Sequence, residues 1–151
     1  YRDTLGFICS DDVYAGDNFG ICYREFDTAA GPFMLPTTTP VHFEPEVLHK
    51  TIDRLLSYRP RRIVQTHFGP VTDLERLARD LHADLDALVV MARRHAAAAD
   101  RAQRIRHDMF EHFNARLDAH GYSGSLARRH EFLDEDVNLN TQGLEVWLSR
   151  Q

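Results

Sequence analysis

Nine histidines among 151 residues invite a metal reading. The spacing that carries it furthest pairs one of them with a carboxylate. Asp17 follows the run Val13–Ala15 through Gly16, and His67 follows Arg62-Ile63-Val64-Gln65-Thr66 ahead of Phe68-Gly69-Pro70. If both runs are strands in a parallel arrangement, their ends share one rim, where open α/β proteins gather ligands. Each residue also has an ordinary reading: Gly-Asp is a common turn dipeptide, and a strand-end histidine is often a hydrogen-bonded packing residue. The other histidines offer less. Glu46 and His49 form one Glu-x-x-His unit, whereas di-iron bundles need two on facing helices. His107 and Glu111 stand four apart without the second histidine of a zincin. His82, His95, His107, His112, His120 and His130 fall mostly between arginines and acids, as solvated surface residues do.

Local pattern supplies the framework around the pair. Thr4–Cys9 and Val13–Ala15 flank Ser10-Asp11-Asp12, a turn-forming cluster, and read as a hairpin. Gly31 to Pro45 holds four prolines and three consecutive threonines, so it reads as an extended surface loop. Pro45 suits a first helical position. Val47/Leu48, Thr51/Ile52 and Leu55/Leu56 then make one apolar stripe that ends near Tyr58, before Pro60. Helix, short β-branched strand and loop make half of an α/β repeat.

Beyond residue 71 the pattern is helical. Thr72 or Asp73 caps a long helix with Leu74, Leu77, Leu81, Leu85, Leu88, Val89 and Ala92 on its apolar face. A second carries Ile105, Met109, Phe110, Phe113 and Leu117 and stops at Gly121. A third is expected from about Leu133 to Leu148. Its Asp134, Glu135 and Asp136 would suit a positive helix N-terminus. The chain therefore divides into an α/β region, 1–71, and a helical extension, 72–151.

Composition removes several classes. With 43% hydrophobic residues a core is available, and no apolar run reaches a membrane span. A net charge of −5 argues against a dedicated nucleic-acid binder. Arg93, Arg94, Arg101, Arg104 and Arg106 have Asp100 among them, with Asp108 and Glu111 just beyond, and no aromatic residue to stack bases, so they read as a solvated face. Cys9 and Cys22 cannot make a disulfide framework, and the expectation is a reduced, cytoplasmic protein without membrane or nucleic-acid partners.

The run Gly16-Asp17-Asn18-Phe19-Gly20 after a hairpin, the Pro45–Pro60 helix, and Val64-Gln65-Thr66-His67-Phe68-Gly69 together resemble the C-terminal half of a metallo-β-lactamase-fold metallohydrolase. The resemblance implies an α/β fold, the C-terminal half of an αββα sandwich over residues 1–71, followed by an all-helical extension. It implies that Asp17 bridges two metal ions, zinc with iron as the variant, and that His67 is the terminal ligand. Asp17 would then be ligand and electrostatic anchor at the catalytic centre. A carboxylate can face two cations ~3.5–4 Å apart, whose bound water becomes acidic enough to attack as hydroxide near neutral pH. Neutral imidazole suits zinc or iron, and its affinity for metal falls in acid.

The implied activity of the full-length protein is hydrolysis of a small-molecule ester, thioester, amide or phosphoester. Tyr23 and Arg24, just after Asp17, are candidates for holding an anionic substrate group. Cys22 reads as buried and unreactive. The family's His-x-His-x-Asp-His motif and its later histidine are absent. They are expected upstream of Tyr1, in a missing N-terminal half that would dock on an exposed apolar sheet face. The chain alone is then expected to be inactive. The helical stripes leave a homodimer open as a further partnership. The competing reading is a binding or regulatory module on the same fold with an idle metal site. A flavodiiron-type oxidoreductase would need a flavin domain, of which the sequence gives no sign.

Overall fold

A turn at Asp11 joins β1 (Phe7–Cys9) to β2 (Asp12–Gly16), which pair antiparallel with Phe7 opposite Tyr14. Over the described residues this is the expected hairpin. The computed structural model describes residues 7–9, 11–38 and 43–151, so Thr4–Gly6, Ser10 and the centre of the proline-rich loop lie outside the described residues. The chain then passes through a short 3-10 turn, Arg24–Phe26, and the extended segment up to Thr38. From Phe43 it enters α1 (Pro45–Ser57), with Pro45 in the first turn. β3 (Arg62–Gln65) returns parallel to β2, with Val13 opposite Ile63 and Tyr14 opposite Val64. β2, α1 and β3 thus form the crossover unit that a parallel pair requires.

A fourth strand has no clear signal in the sequence. β4 (Pro70–Val71) pairs antiparallel with β3 and completes the order β1-β2-β3-β4. Pro70 reads in sequence as a strand breaker, yet an edge strand tolerates proline because the missing N–H is not needed there. The fold is mixed α/β, with α2 (Leu74–His95), α3 (Arg101–Ala119) and α4 (Leu126–Leu148) following the sheet.

Period-2 alternation decides what the sheet presents. Val13, Ala15, Ile63 and Gln65 point to one face and are buried. On the other face Tyr14, Val64 and Pro70 share a register row, with Tyr14 44% exposed. Beside that row Arg62 and Asp12 form a two-pronged pair at 2.9 and 2.5 Å. The open face is therefore an apolar row flanked by an ion pair rather than a wholly apolar surface.

The apolar stripes fall where their periods place them. Leu48 and Ile52 of α1, Leu77, Leu81, Leu85 and Leu88 of α2, and Ile105, Met109, Phe113 and Leu117 of α3 are buried in one cluster with the inner sheet face. Each such leucine contributes ~1.5–3 kcal/mol of transfer free energy. Gly121 takes φ +82 just past α3, the left-handed stop that glycine permits.

Two expectations need correction. α4 begins at Leu126, not near Leu133; Ser125 caps it by accepting the Arg128 N–H at 3.3 Å. Asp134, Glu135 and Asp136 therefore lie more than two turns inside the helix, where the N-terminal charge argument does not apply. The helical histidines are also less solvated than their neighbours suggest. His112 meets buried Asp84 at 2.8 Å, His95 meets Asp108 at 2.8 Å, and His120 meets the Gly31 carbonyl at 3.0 Å. Burial pushes the Asp84 carboxyl above its usual range, against the pull of His112 and Arg116. His107 and His130 are exposed as expected. The arginine run is a face of ion pairs, Arg104–Asp100, Arg94–Asp108 and Arg101–Glu145, with Arg93 over the Trp147 ring. Among the described residues no helix is long and apolar enough to cross a membrane.

Candidate functional site

The register between β2 and β3 slips between Tyr14 and Gly16, and Gly16 takes φ +59. Such an irregularity turns the chain sharply as the strand ends and re-aims the residues beyond it. Asp17 is therefore exposed at the sheet rim, while its carbonyl accepts from the Gly20 N–H at 3.2 Å and the Thr37 hydroxyl at 2.8 Å. Gly20 is forced by geometry. At φ +65, a Cβ there would run into the Leu35 carbonyl. Asn18, only 6% exposed, has a side-chain oxygen with no hydrogen-bond partner among the described residues.

His67 leaves the end of β3 on the same rim. The turn behind it is tight: Phe68 has φ +71 and Gly69 φ +85. For a phenylalanine that is an uncommon conformation, which surrounding contacts must hold. Arg24 supplies two of them, with Nε donating to the Phe68 carbonyl at 3.0 Å and Nη2 to the Pro70 carbonyl at 2.7 Å. The Tyr23 ring lies 4.6 Å from the Phe68 ring.

Asp17 and His67 line one cavity of about 370 Å³, together with Tyr23, Thr37, Phe68 and, from α4, Glu135, Asp136 and Asn140. Parallel β2 and β3 thus bring the two sequence-chosen residues to one place. Tyr23 joins them, but its hydroxyl donates to Asp136 at 2.8 Å. Burial pushes the Tyr23 phenol up, and the Asp136 carboxylate adds to the shift. Burial likewise raises the Asp136 carboxyl, while the Tyr23 hydroxyl and the charge of His67 pull it down. Arg24 is not among the lining residues; its guanidinium clamps the turn below them. Cys22 is buried, as expected, and burial raises its thiol.

Sequence reasoning misses the α4 wall. Glu135 and Asp136 stand out as acids but read as a helix start, and nothing local announces a contact across 113 positions. The far wall is well fixed. Thr38 N–H donates to Asn140 Oδ1 at 2.8 Å, Thr38 Oγ1 to the Asn140 carbonyl at 2.9 Å, and Asn140 Nδ2 to the Pro36 carbonyl at 3.0 Å.

As donor types, the Asp17 carboxylate and the His67 imidazole fit a zinc or iron centre. As a set they fall short: among the described residues no three His, Cys, Asp or Glu side chains converge to hold a metal ion. A larger groove of about 450 Å³ runs between α3 and α4 past Phe110, Leu126 and His130, far along the chain from either strand end. No family model matches the chain, and no curated protein or solved structure matches it either.

Proposed function

We propose that this chain carries part of the active site of a metal-dependent hydrolase of small molecules, and that its α/β region is the C-terminal half of a metallo-β-lactamase-type αββα sandwich. One observation supports the reading above the others: Asp17 and His67, 50 positions apart, line a single cavity at the ends of two parallel strands. The β2–α1–β3 crossover and the resemblance around Gly16–Gly20 and Gln65–Gly69 support the fold assignment. Asp17 and His67 would be ligands, and the remaining donors come from outside the described residues. The metal's contribution when bound is Lewis-acid activation of water and of the scissile ester, thioester, amide or phosphoester group. This chain's own share is positional. The Gly20 amide and Thr37 hydroxyl fix the backbone under Asp17, Arg24 fixes the turn under His67, and α4 walls one side of the cavity.

Elemental analysis of the full-length protein tests this. Asp17→Ala and His67→Ala should each lower bound metal and hydrolytic rate together while leaving the fold intact, because both side chains are exposed. Unchanged metal content in both variants would overturn the assignment. The lack of a converging donor set favours one alternative, a binding module with an idle site. In that case metal-free full-length protein would retain a small ligand that Asp17→Ala also retains.

A further inference from the structure

The cavity that Asp17 and His67 share has an unequal balance of hydrogen-bonding groups. Its donors are largely spent within its own walls. The Tyr23 hydroxyl goes to Asp136 Oδ2 and the Thr37 hydroxyl to the Asp17 carbonyl, each at 2.8 Å. The Thr38 hydroxyl and Asn140 Nδ2 go to backbone carbonyls at 2.9 and 3.0 Å. Its acceptors are not spent. Asp17 and Glu135 line the cavity and are exposed. Neither carboxylate has a hydrogen bond or an ion pair among the described residues. Asp136 commits only Oδ2, which leaves its other oxygen to a ligand.

No nearby base answers these acids. Among the described residues His67 is the one base that lines the cavity, with no lysine or arginine beside it. The three bases of α4, Arg128, Arg129 and His130, are taken by Glu131, Asp118 and Asp134. Arg24 spends Nε and Nη2 on the Phe68 and Pro70 carbonyls. An entering anion would therefore meet three carboxyl groups and neither Tyr23 nor Arg24 free to hold it. An ammonium group meets the reverse, since ionised carboxylates only accept and its N–H groups only donate.

The remaining wall is apolar. The Tyr23 and Phe68 rings, with centroids 4.6 Å apart, stand with Ile21 and Leu139 around the same space. Aromatic faces attract cations and bury hydrocarbon at once. A volume of about 370 Å³ admits a small molecule. We propose that this cavity takes a small organic cation, an ammonium group on an apolar body, and that the hydrolase's substrate belongs to that class. Asp17 is a metal ligand in the hydrolase reading, so the α4 acids Glu135 and Asp136 receive the ammonium. The substrate assignment rests on that reading, whereas the binding preference rests on the cavity alone.

Three ring compounds of one size test the preference: benzylammonium, benzyl alcohol and benzoate. Each is titrated by NMR into the intact, chelator-treated chain at neutral pH, so that no metal ion contributes. Benzylammonium should bind on the order of tenfold tighter than benzyl alcohol. It should shift the amides of Glu135 and Leu139 and weaken as salt is added, while benzoate leaves those amides unmoved. Glu135→Gln, at an exposed helix position, should lower benzylammonium affinity about fivefold and leave benzyl alcohol unchanged. Glu135→Lys should reverse the order of benzylammonium and benzoate. Equal binding of benzylammonium and benzyl alcohol, tighter benzoate, unmoved Glu135 and Leu139 amides, or wild-type affinity in Glu135→Gln would each overturn the proposal. Failure of the hydrolase reading shows separately, as unchanged metal content in Asp17→Ala and His67→Ala with the benzylammonium preference intact.

Discussion

Gln65 donates through Nε2 to the carbonyl of Gly20 at 2.7 Å, and through the same nitrogen to the carbonyl of Phe19 at 2.9 Å. The strand that leads to His67 thereby holds the loop that begins at Asp17. Cys22 completes the arrangement by donating its S–H to Gln65 Oε1 at 3.2 Å. The amide is 4% exposed, so water does not replace these partners if it is removed.

Replacing Gln65 with leucine should therefore cost about 2–4 kcal/mol, since it leaves two buried carbonyls unpaired at once. Urea titration should show a lower midpoint at an unchanged slope. On the proposed function, metal content should fall with it. An unaltered midpoint would mean that the two loops keep their register without this side chain.

Gly143→Ala should loosen the cavity from the other side. A Cβ there would land on the Thr38 carbonyl oxygen, inside α4 and facing backbone that cannot swing away as a side chain would. The helix must retreat, and the Thr38–Asn140 bonds are lost with it. We expect a loss of about 2–4 kcal/mol and faster amide exchange at Thr38. Retention of wild-type protection at Thr38 would show that α4 absorbs the extra carbon without moving.

Arg24→Lys keeps the charge but not the fork that spans two carbonyls. It should cost about 1 kcal/mol and release the strained turn at Phe68. The readout is exchange at the Gln65 amide, which donates to the Gly69 carbonyl at 3.4 Å across this turn and should quicken while exchange in α2 and α3 does not.

Asp136 gives a pH signature with a definite sign. Because burial raises its carboxyl in the fold, the folded chain keeps that proton to higher pH than the unfolded chain does. Its ionisation thus lowers stability as pH rises from about 4 through the raised value. Asp136→Asn keeps an acceptor for the Tyr23 hydroxyl and never ionises. Thermal melts should show the variant level with the wild type near pH 3 and above it at neutral pH. A variant that is less stable at neutral pH would show that the Tyr23 and His67 attractions outweigh desolvation.

Much of the fold is legible from residues alone, for identifiable reasons. The stripes of α1, α2 and α3 repeat without interruption, so their faces can be read from spacing. The rim shared by Asp17 and His67 follows from the β-α-β order. The start of α4 is hidden by Arg129, a buried residue in a position where the stripe calls for an apolar one. Its guanidinium reaches the carbonyls of Asn114, Tyr122 and Gly124 and the side chain of Asn114. That is a solution made by tertiary contact, and no local pattern encodes it. β4 is too short and too proline-bearing to register. The contact of His49 with His82, at 2.6 Å between α1 and α2, is invisible because each residue looks ordinary within its own helix.

The origin of the cavity's walls constrains how such a protein can be shortened or shuffled. Glu135, Asp136, Leu139 and Asn140 form one side of it, although they come from the last helix. A fragment ending after α3 would retain the strands, the carboxylate and the imidazole, yet leave them on an open ledge. Recombining the α/β region with a foreign tail would exchange the pocket along with the tail.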